Sequence, residues 1–216
     1  MYVASTVAHE LPAWLDVGAM VVAAAFGAHV ARLRRIALFG VLLEGVLVGL
    51  GGGITRDAFL GLEPVAITTW YYIPAVLIAA LLGGSVAERV TMNRLPFVVA
   101  QAFAIGLLIG IGVQKAVVYD TPAPGAILLG VVTGAFGGAI ADVLAGRQAA
   151  MLRERHWLLS AIVIGAVVFW LCTEYVAFYA AVVITVIIVV GLRVVSVRLD
   201  WTDPSFPGDD PRPEDP

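Results

Sequence analysis

The stretch Gly45–Leu60, GVLVGLGGGITRDAFL, decides how the rest of the chain is interpreted. It is apolar enough to lie within a bilayer, yet it holds three consecutive glycines, Gly51 to Gly53, and then the charged pair Arg56 and Asp57. Each glycine lowers helix stability by about 1 kcal/mol, so we expect the helix to bend or unwind here. Backbone groups freed in this way cannot face lipid. The triple glycine therefore predicts the wall of a pathway that is buried in protein or lined by water.

The same pattern occurs a second time, 85 residues later. Shifting the sequence by that distance sets Gly130–Ala145, GVVTGAFGGAIADVLA, against the first stretch, with identity at six of sixteen positions. The matched pairs include Gly52 with Gly137, Gly53 with Gly138, and Asp57 with Asp142. Interrupted helices at equivalent positions of two halves are typical of transport sites, so the sequence predicts a duplicated unit with a break in each copy.

The composition places the chain in the membrane. It has 216 residues, of which 61% are hydrophobic and 13% charged, whereas soluble proteins are roughly a quarter charged. We therefore predict an integral membrane protein surrounded by lipids. The net charge of −3 argues against a nucleic-acid partner, and the single Cys172 excludes an internal disulfide. The sequence has no nucleotide-binding loop, nucleophile elbow or metal-ligand spacing, so it predicts a non-enzymatic protein without cofactor or metal.

Seven apolar segments predict seven membrane-spanning helices. They lie at about 13–31, 36–57, 70–86, 95–118, 125–146, 157–172 and 175–192. Three spans per copy is an odd number, so the second copy enters the membrane upside down. The predicted fold is an all-α inverted 3+3 repeat plus a seventh helix, with helices 2 and 5 broken at the glycine clusters. The predicted divisions are a first repeat at 1–95, a second at 96–174, the seventh helix at 175–199 and a disordered, cytoplasmic, acidic, proline-rich tail at 200–216.

The basic residues predict the orientation. Residues 1–11 carry no Lys or Arg, so the first span is expected to stay as an anchor rather than be cleaved as a signal peptide. With the N-terminus outside and the C-terminus in the cytoplasm, eleven of the thirteen Lys and Arg fall on the cytoplasmic side: Arg32, Arg34, Arg35, Arg89, Arg94, Arg147, Arg153, Arg155, Arg193, Arg198 and Arg212. The sequence thus predicts a multi-pass protein of the cell (inner) membrane.

Ionisable residues at membrane depth are the candidate functional residues, because burying charge in lipid is costly. Asp57 and Asp142 follow the two glycine clusters at equivalent positions. One hypothesis is that these carboxylates supply negative potential along a cation path, and the other is that they tie down the helix ends. Arg56 is adjacent to Asp57, but neighbours on a helix do not face each other, so we expect Arg56 to pair across helices.

Two further charged residues allow more than one interpretation. Lys115, the only lysine, lies near the outer end of the fourth span and is either an anchor that snorkels to the interface or a gating charge. Glu44 lies about two turns into the second span, where it forms a structural salt bridge with the inner arginines or lines the path. The GxxxG spacing of Gly45 and Gly49 is typical of close helix packing, but a triple glycine exceeds what packing needs.

The motifs GLGGGITRD, followed by GLEP, and GVVTGAFGGAIADVLAG resemble those of the bacterial members of the trimeric intracellular cation channel family, also catalogued as a glycine transporter domain family. The resemblance covers about residues 15–192. It implies a homotrimer with one pore in each protomer, lined by helices kinked at glycines and conducting potassium and other monovalent cations. Gly51, Gly52 and Gly53 would form the first kink and Gly137 and Gly138 part of the second. Lys115 lies near the position at which family members carry a basic residue on the fourth span.

The chain departs from the family pattern in its second motif. Phe136 replaces the first glycine of the cluster, and Ala141 replaces the arginine before Asp142. The proline usual after this motif is also absent, and Arg147, Gln148 and Ala149 follow instead. The absence of this arginine implies one of two consequences. Either cations occupy the pore more strongly, or the second half no longer takes part in gating as it does in the family.

Three functions compete at this point. The first is a passive cation channel, and the second is a secondary transporter of glycine or a similarly small solute, which would use the same inverted repeats and broken helices. The third is a scaffold that oligomerises without transport. Ionisable residues in both repeats disfavour the scaffold.

Overall fold

The computed structural model describes residues 12–87, 94–153 and 157–202. The predicted tail from residue 203 onward lies outside the described residues, as do Arg89, Arg155 and Arg212. Within the described part the chain is helical and contains no strand. Its helices are α1 (Ala13–Leu33), α2 (Leu38–Phe59), α3 (Val65–Thr68), α4 (Tyr72–Val86), α5 (Arg94–Val118), α6 (Ala123–Leu144), α7 (Ala150–Arg153), α8 (Leu158–Cys172) and α9 (Phe178–Arg198).

Five of these helices are long and apolar enough to cross a membrane, namely α1, α2, α5, α6 and α9. The other two predicted spans correspond to α4 and α8, which are apolar but have only 15 residues each. Such a helix is about 22 Å long, less than the hydrocarbon thickness of about 30 Å. The prediction of an all-helical membrane protein is therefore confirmed, with five helices of full membrane length.

The helix boundaries follow the sequence repeat. Adding 85 to the bounds of α2 gives 123–144, the bounds of α6, and adding 85 to those of α3 gives 150–153, the bounds of α7. The packing corresponds as well, since α1 packs on α2 and α4 as α5 packs on α6 and α8. The four-residue helices α3 and α7 were not predicted from the sequence. Each precedes one of the two short apolar helices.

The two glycine clusters meet where α2 packs against α6. A Cβ atom added at Gly51 would lie 3.1 Å from the Cα of Gly137, and one added at Gly137 would lie 2.5 Å from the carbonyl oxygen of Val48. A Cβ at Gly52 would collide with the carbonyl oxygen of Thr133. The glycines therefore bring the two backbones into direct contact, which no larger residue would permit.

The prediction that the second and fifth spans, which are α2 and α6 in the structure, are broken at the glycines is wrong. Both α2 and α6 continue as α-helix through their glycine clusters. Unwinding would leave backbone N–H and C=O groups without partners at membrane depth, whereas backbone contact between α2 and α6 keeps them bonded within each helix. Thr55 adds a bond across this turn, since its hydroxyl donates to the Gly51 carbonyl at 2.7 Å.

The largest buried apolar cluster lies in the second half of the chain. It is formed by α5, α6, α8 and α9 around residues such as Ile109, Ile162 and Phe169, which are all almost completely buried. Helix α9 packs on α5 and α8, so it belongs to this half rather than lying apart. Its C-terminal end meets the start of α8, where the Trp157 indole N–H donates to the carbonyl oxygen of Thr202 at 3.0 Å.

Candidate functional site

In the part of the chain that the structure describes, two clusters of charged residues built around buried acids lie on opposite sides of the glycine contact. The first cluster consists of Asp16, Arg56, Asp57, Tyr72 and Lys115, and it lies where α1 and α4 begin and α2 and α5 end. The second cluster consists of Arg34, Glu44, Asp142 and Arg147. It lies where α1 and α6 end and α2 begins, and therefore at the other end of α1.

Asp57 is the centre of the first cluster. Its Oδ1 accepts hydrogen bonds from Arg56 Nε and from Lys115 Nζ, each at 2.8 Å. Its Oδ2 accepts the backbone N–H of Val65 at 3.1 Å, the first residue of α3. One carboxylate thus joins α2, α5 and α3. Lys115 is turned inward to Asp57 and only 11% exposed, so it does not snorkel to the interface.

Arg56 pairs across helices, as expected from the sequence, and also within its own helix, which was not expected. The Nε atom reaches the neighbouring Asp57, and only Nη1 extends across to α1, 3.9 Å from Asp16 Oδ1. Arg56 and Asp57 lie in the last turn of α2, where the long arginine side chain can fold back around the helix end. Tyr72 completes the cluster by donating its hydroxyl to Asp16 Oδ2 at 2.8 Å.

Sequence reasoning missed Asp16 and Tyr72. Asp16 was detectable as an acid inside the first apolar span, where a charge is costly unless it is paired. Tyr72 lies near the start of the third apolar segment, where nothing in the sequence sets it apart from the neighbouring aromatic residues, but it is 2% exposed. With both included, the first cluster has two acids and two cations, so its formal charge is zero.

The second cluster is built around Asp142 and Glu44. Arg147 approaches Asp142 Oδ1 with Nε and Nη2, each at 3.0 Å, and Glu44 Oε1 with Nη1, also at 3.0 Å. Arg34 Nη1 lies farther away, 3.6 Å from Asp142 Oδ1 and 4.0 Å from Glu44 Oε2. Burial lowers the pKa of Arg147, but its hydrogen bonds to Glu44 and Asp142 outweigh this and raise that pKa above its ordinary value. Arg147 therefore stays charged.

Asp57 and Asp142 make the same backbone contact in the two halves. Asp142 Oδ2 accepts the N–H of Ala150 at 2.9 Å, the first residue of α7, as Asp57 Oδ2 accepts that of Val65. The turn after each helix is also shared, since Gly61 and Gly146 have φ angles of +69° and +71°. This positive φ favours glycine and ends α2 and α6 in the same way.

A cavity of about 200 Å³ lies next to the second cluster. Its walls come mainly from α1, α5 and α6, and its lining includes all four residues of the second cluster but none of the first. From Glu44 and Asp142 it passes small and apolar residues such as Gly27, Val48 and Gly134. The cavity thus approaches the α2 and α6 contact from one side, while the first cluster lies beyond that contact.

The predicted glycine residues divide between packing and cavity lining. Gly51, Gly52 and Gly137 lie in the contact between α2 and α6, and a Cβ at Gly53 would lie 2.9 Å from the Cε atom of Met20. Gly138 differs, because a Cβ there would meet nothing within 4 Å and the residue lines the cavity. Only one of the five predicted glycines therefore borders open space.

Arg193, one of the eleven basic residues assigned from the sequence to the cytoplasmic side, is buried. It lies inside α9, is 1% exposed and donates from Nη2 to Gln101 Oε1 at 3.1 Å. Gln101 lines the cavity and is equivalent to Asp16 under the repeat shift. Among the described residues, no group of three or more His, Cys, Asp or Glu is placed to hold a metal ion.

Comparison with known proteins identifies the family. The family model described as Glycine transporter matches the chain twice, at residues 13–88 and 98–174. The two matches begin 85 residues apart, the same distance as the sequence repeat. The UPF0126 inner membrane protein YadS of Escherichia coli (strain K12) is 31% identical over 202 residues, covering 89% of this chain and 95% of the relative.

Solved structures extend the likeness to the fold. The TRIC trimeric intracellular cation channel orthologue from Rhodobacter sphaeroides has a TM-score of 0.78 and 25% identity, covering 86% of this chain and 96% of the orthologue. A structure described as the basis for conductance through TRIC cation channels has a TM-score of 0.77 at 25% identity, covering 89% and 95%. The resemblance read from the sequence motifs is confirmed. The chain therefore belongs to the glycine transporter family and has the fold of the trimeric intracellular cation (TRIC) channels.

Proposed function

We propose that the protein is a cation channel of the membrane that conducts potassium and other monovalent cations through a pathway inside each protomer. The observation that carries the proposal is the cavity of about 200 Å³ with Glu44 and Asp142 at its mouth. Carboxylates beside apolar, low-dielectric walls attract cations more strongly than they would in water. The TRIC cation channels share the fold, which supports the same assignment.

The proposed route begins at the second cluster and follows the cavity along α1, α5 and α6. It then passes the contact between α2 and α6 and ends at the first cluster. Lys115 and Arg56 lie across this last part, bound to Asp57 at 2.8 Å. These two cations neutralise Asp16 and Asp57 and so leave no net negative charge to hold a potassium ion, and we take the arrangement to be a closed channel. Opening requires the Lys115 ammonium group to leave the route.

The proposal includes an architecture and an orientation. We propose seven membrane-crossing helices, in which α4 and α8 cross with the help of the preceding α3 and α7. The halves at 1–95 and 96–174 form an inverted repeat, followed by the seventh helix at 175–199 and the tail at 200–216. The N-terminus is outside and the C-terminus cytoplasmic in the inner membrane, which agrees with the basic residues that follow α1. Three copies associate as a homotrimer.

Paired flux measurements on purified protein in liposomes test the function. We expect potassium efflux from protein-containing liposomes and none from empty ones. Asp57→Asn removes the carboxylate that holds Lys115 and Arg56, and is expected to change this efflux. A glycine carrier would instead accumulate labelled glycine inside the liposomes, driven by an ion that moves down its gradient, and would not pass potassium. That result would overturn the channel assignment, and trimers silent in both assays would favour a scaffold.

A further inference from the structure

The two halves differ in the cations that surround their equivalent aspartates. A shift of 85 residues sets Val30 against Lys115 and Ala141 against Arg56, so both cations that bind Asp57 are missing around Asp142. Val30 and Ala141 line the cavity. Beside Asp57, the side chains of Lys115 and Arg56 fill the space. At the equivalent place beside Asp142, the smaller Val30 and Ala141 leave that space open as part of the cavity. This difference explains why the cavity reaches the second cluster and not the first.

Asp142 takes its cation from a different part of the chain. Arg147 lies after the end of α6, in the segment that leads to α7, at the position that Leu62 occupies in the first half. Its side chain is 22% exposed, whereas that of Arg56 is 1% exposed. The lost arginine at position 141 is therefore replaced by one that is carried outside the helix and reached by solvent.

We infer that Arg147 is the gate at the second-cluster mouth of the cavity, an inference that rests on the proposed channel function. The Arg147 guanidinium bridges Asp142 and Glu44 with three contacts of 3.0 Å and so neutralises the carboxylates that would otherwise receive a cation. The Arg147 side chain is 22% exposed, against 9% for Glu44 and 11% for Asp142, so the guanidinium can turn from both acids into solvent. Asp142 then keeps its hydrogen bond from the backbone N–H of Ala150. The mouth then carries negative charge and admits a cation.

Arg147 rather than Arg34 has this role because of geometry. Arg34 lies 3.6 Å and 4.0 Å from the two acids, longer than the contacts of Arg147, and is 35% exposed. Arg34 also extends from the end of α1, whereas Arg147 lies on a short connecting segment that follows the positive-φ Gly146. When Arg147 leaves, Arg34 keeps a positive charge near the carboxylates, so the acids are not left isolated.

Single-channel recording of purified protein in planar bilayers tests the gate. We expect Arg147→Gln to raise the open probability about fivefold, as loss of a partly exposed ion-pair network would allow. Arg147→Lys keeps the charge but loses the double contact with Asp142, and should give an intermediate open probability. Arg198→Gln is the matched control, because Arg198 is exposed at the same end of the bundle and belongs to neither cluster. Arg198→Gln should leave the open probability unchanged, although it can change the unitary current.

The outcomes separate the gate from the channel. If the wild-type protein conducts and Arg147→Gln opens no more often than Arg198→Gln, the proposal that Arg147 is a gate is wrong. The proposal that the protein is a cation channel is then unaffected. A lower open probability in Arg147→Gln would also overturn the gate, since it would assign Arg147 to holding the pathway open. If the wild-type protein gives no current, the channel itself is wrong and the gate falls with it.

Discussion

Asp57 and Asp142 hold the same backbone position in the two halves of the molecule, and each accepts the first N–H of a four-residue helix eight residues later. They differ in their surroundings. Asp57 is buried with Lys115 and Arg56, whereas Asp142 lies at the mouth of a cavity. The equivalent aspartates thus hold largely buried cations at one end of the proposed pathway and the partly exposed Arg147 at the other.

Removal of the Asp57 carboxylate should destabilise the protein. Asp57→Asn leaves Lys115 and Arg56 buried beside a neutral side chain, which costs about 3 kcal/mol by analogy with other broken buried pairs. In a domain of this size that lowers Tm by roughly 6 to 12 °C. Thermal unfolding of the detergent-purified protein measures the shift. Glu63→Gln, an exposed acid in the following loop, is the control and should leave Tm unchanged.

The glycine contact makes two substitutions of the same kind behave differently. Gly52→Ala places a methyl group against the carbonyl of Thr133 and should lower Tm, because the backbones of α2 and α6 must separate. Gly18→Ala adds the same methyl group in α1 where nothing lies within 4 Å, and should leave Tm unchanged or raise it slightly. Equal Tm values for the two variants would show that the contact between α2 and α6 is not tight.

The shared turns predict equal effects in the two halves. Gly61→Ala and Gly146→Ala each place a Cβ at a φ near +70°, which costs about 1 to 2 kcal/mol. Because both glycines end an equivalent helix, the two unfolding midpoints should fall by similar amounts. The double variant should show the sum of the two, since the sites lie at opposite ends of the bundle. A shift at only one site would mean that the turns are not equivalent.

Much of the fold follows from the sequence. The apolar segments located every long helix, and the shift of 85 residues paired Asp57 with Asp142 before their common capping role was visible. The helices α3 and α7 escaped because four residues are too few to show a helical period. The glycine clusters misled, because the same residues permit either unwinding or close approach. Only the position of the neighbouring helix decides between the two.

The candidate site was harder to predict than the fold. Asp57, Asp142, Lys115 and Glu44 stood out as charges within apolar segments. For Glu44 the sequence offered a salt bridge with the inner arginines but could not say which one, because Arg147 and Arg34 lie in or beside loops and reach their acids only through tertiary packing. The same holds for Tyr72 and Asp16, which are joined by a hydrogen bond across 56 residues. Sequence alone therefore gave the acids of both clusters except Asp16, and the cations of the first cluster, but not the arginine that binds Glu44 and Asp142 in the second.

Potassium efflux through the Lys115→Gln variant tests the central claim most directly. Lys115 is the cation from α5 that lies across the proposed route, and glutamine keeps hydrogen-bonding capacity while removing the charge. If the route passes the first cluster, potassium efflux from liposomes should rise at least about tenfold over wild type, because a barrier lowered by about 1.4 kcal/mol suffices for that change. Lys115→Arg, which keeps the charge, should remain near wild type. Efflux from the Lys115→Gln variant no faster than from wild-type protein would contradict the claim that the route passes the first cluster and that Lys115 blocks it.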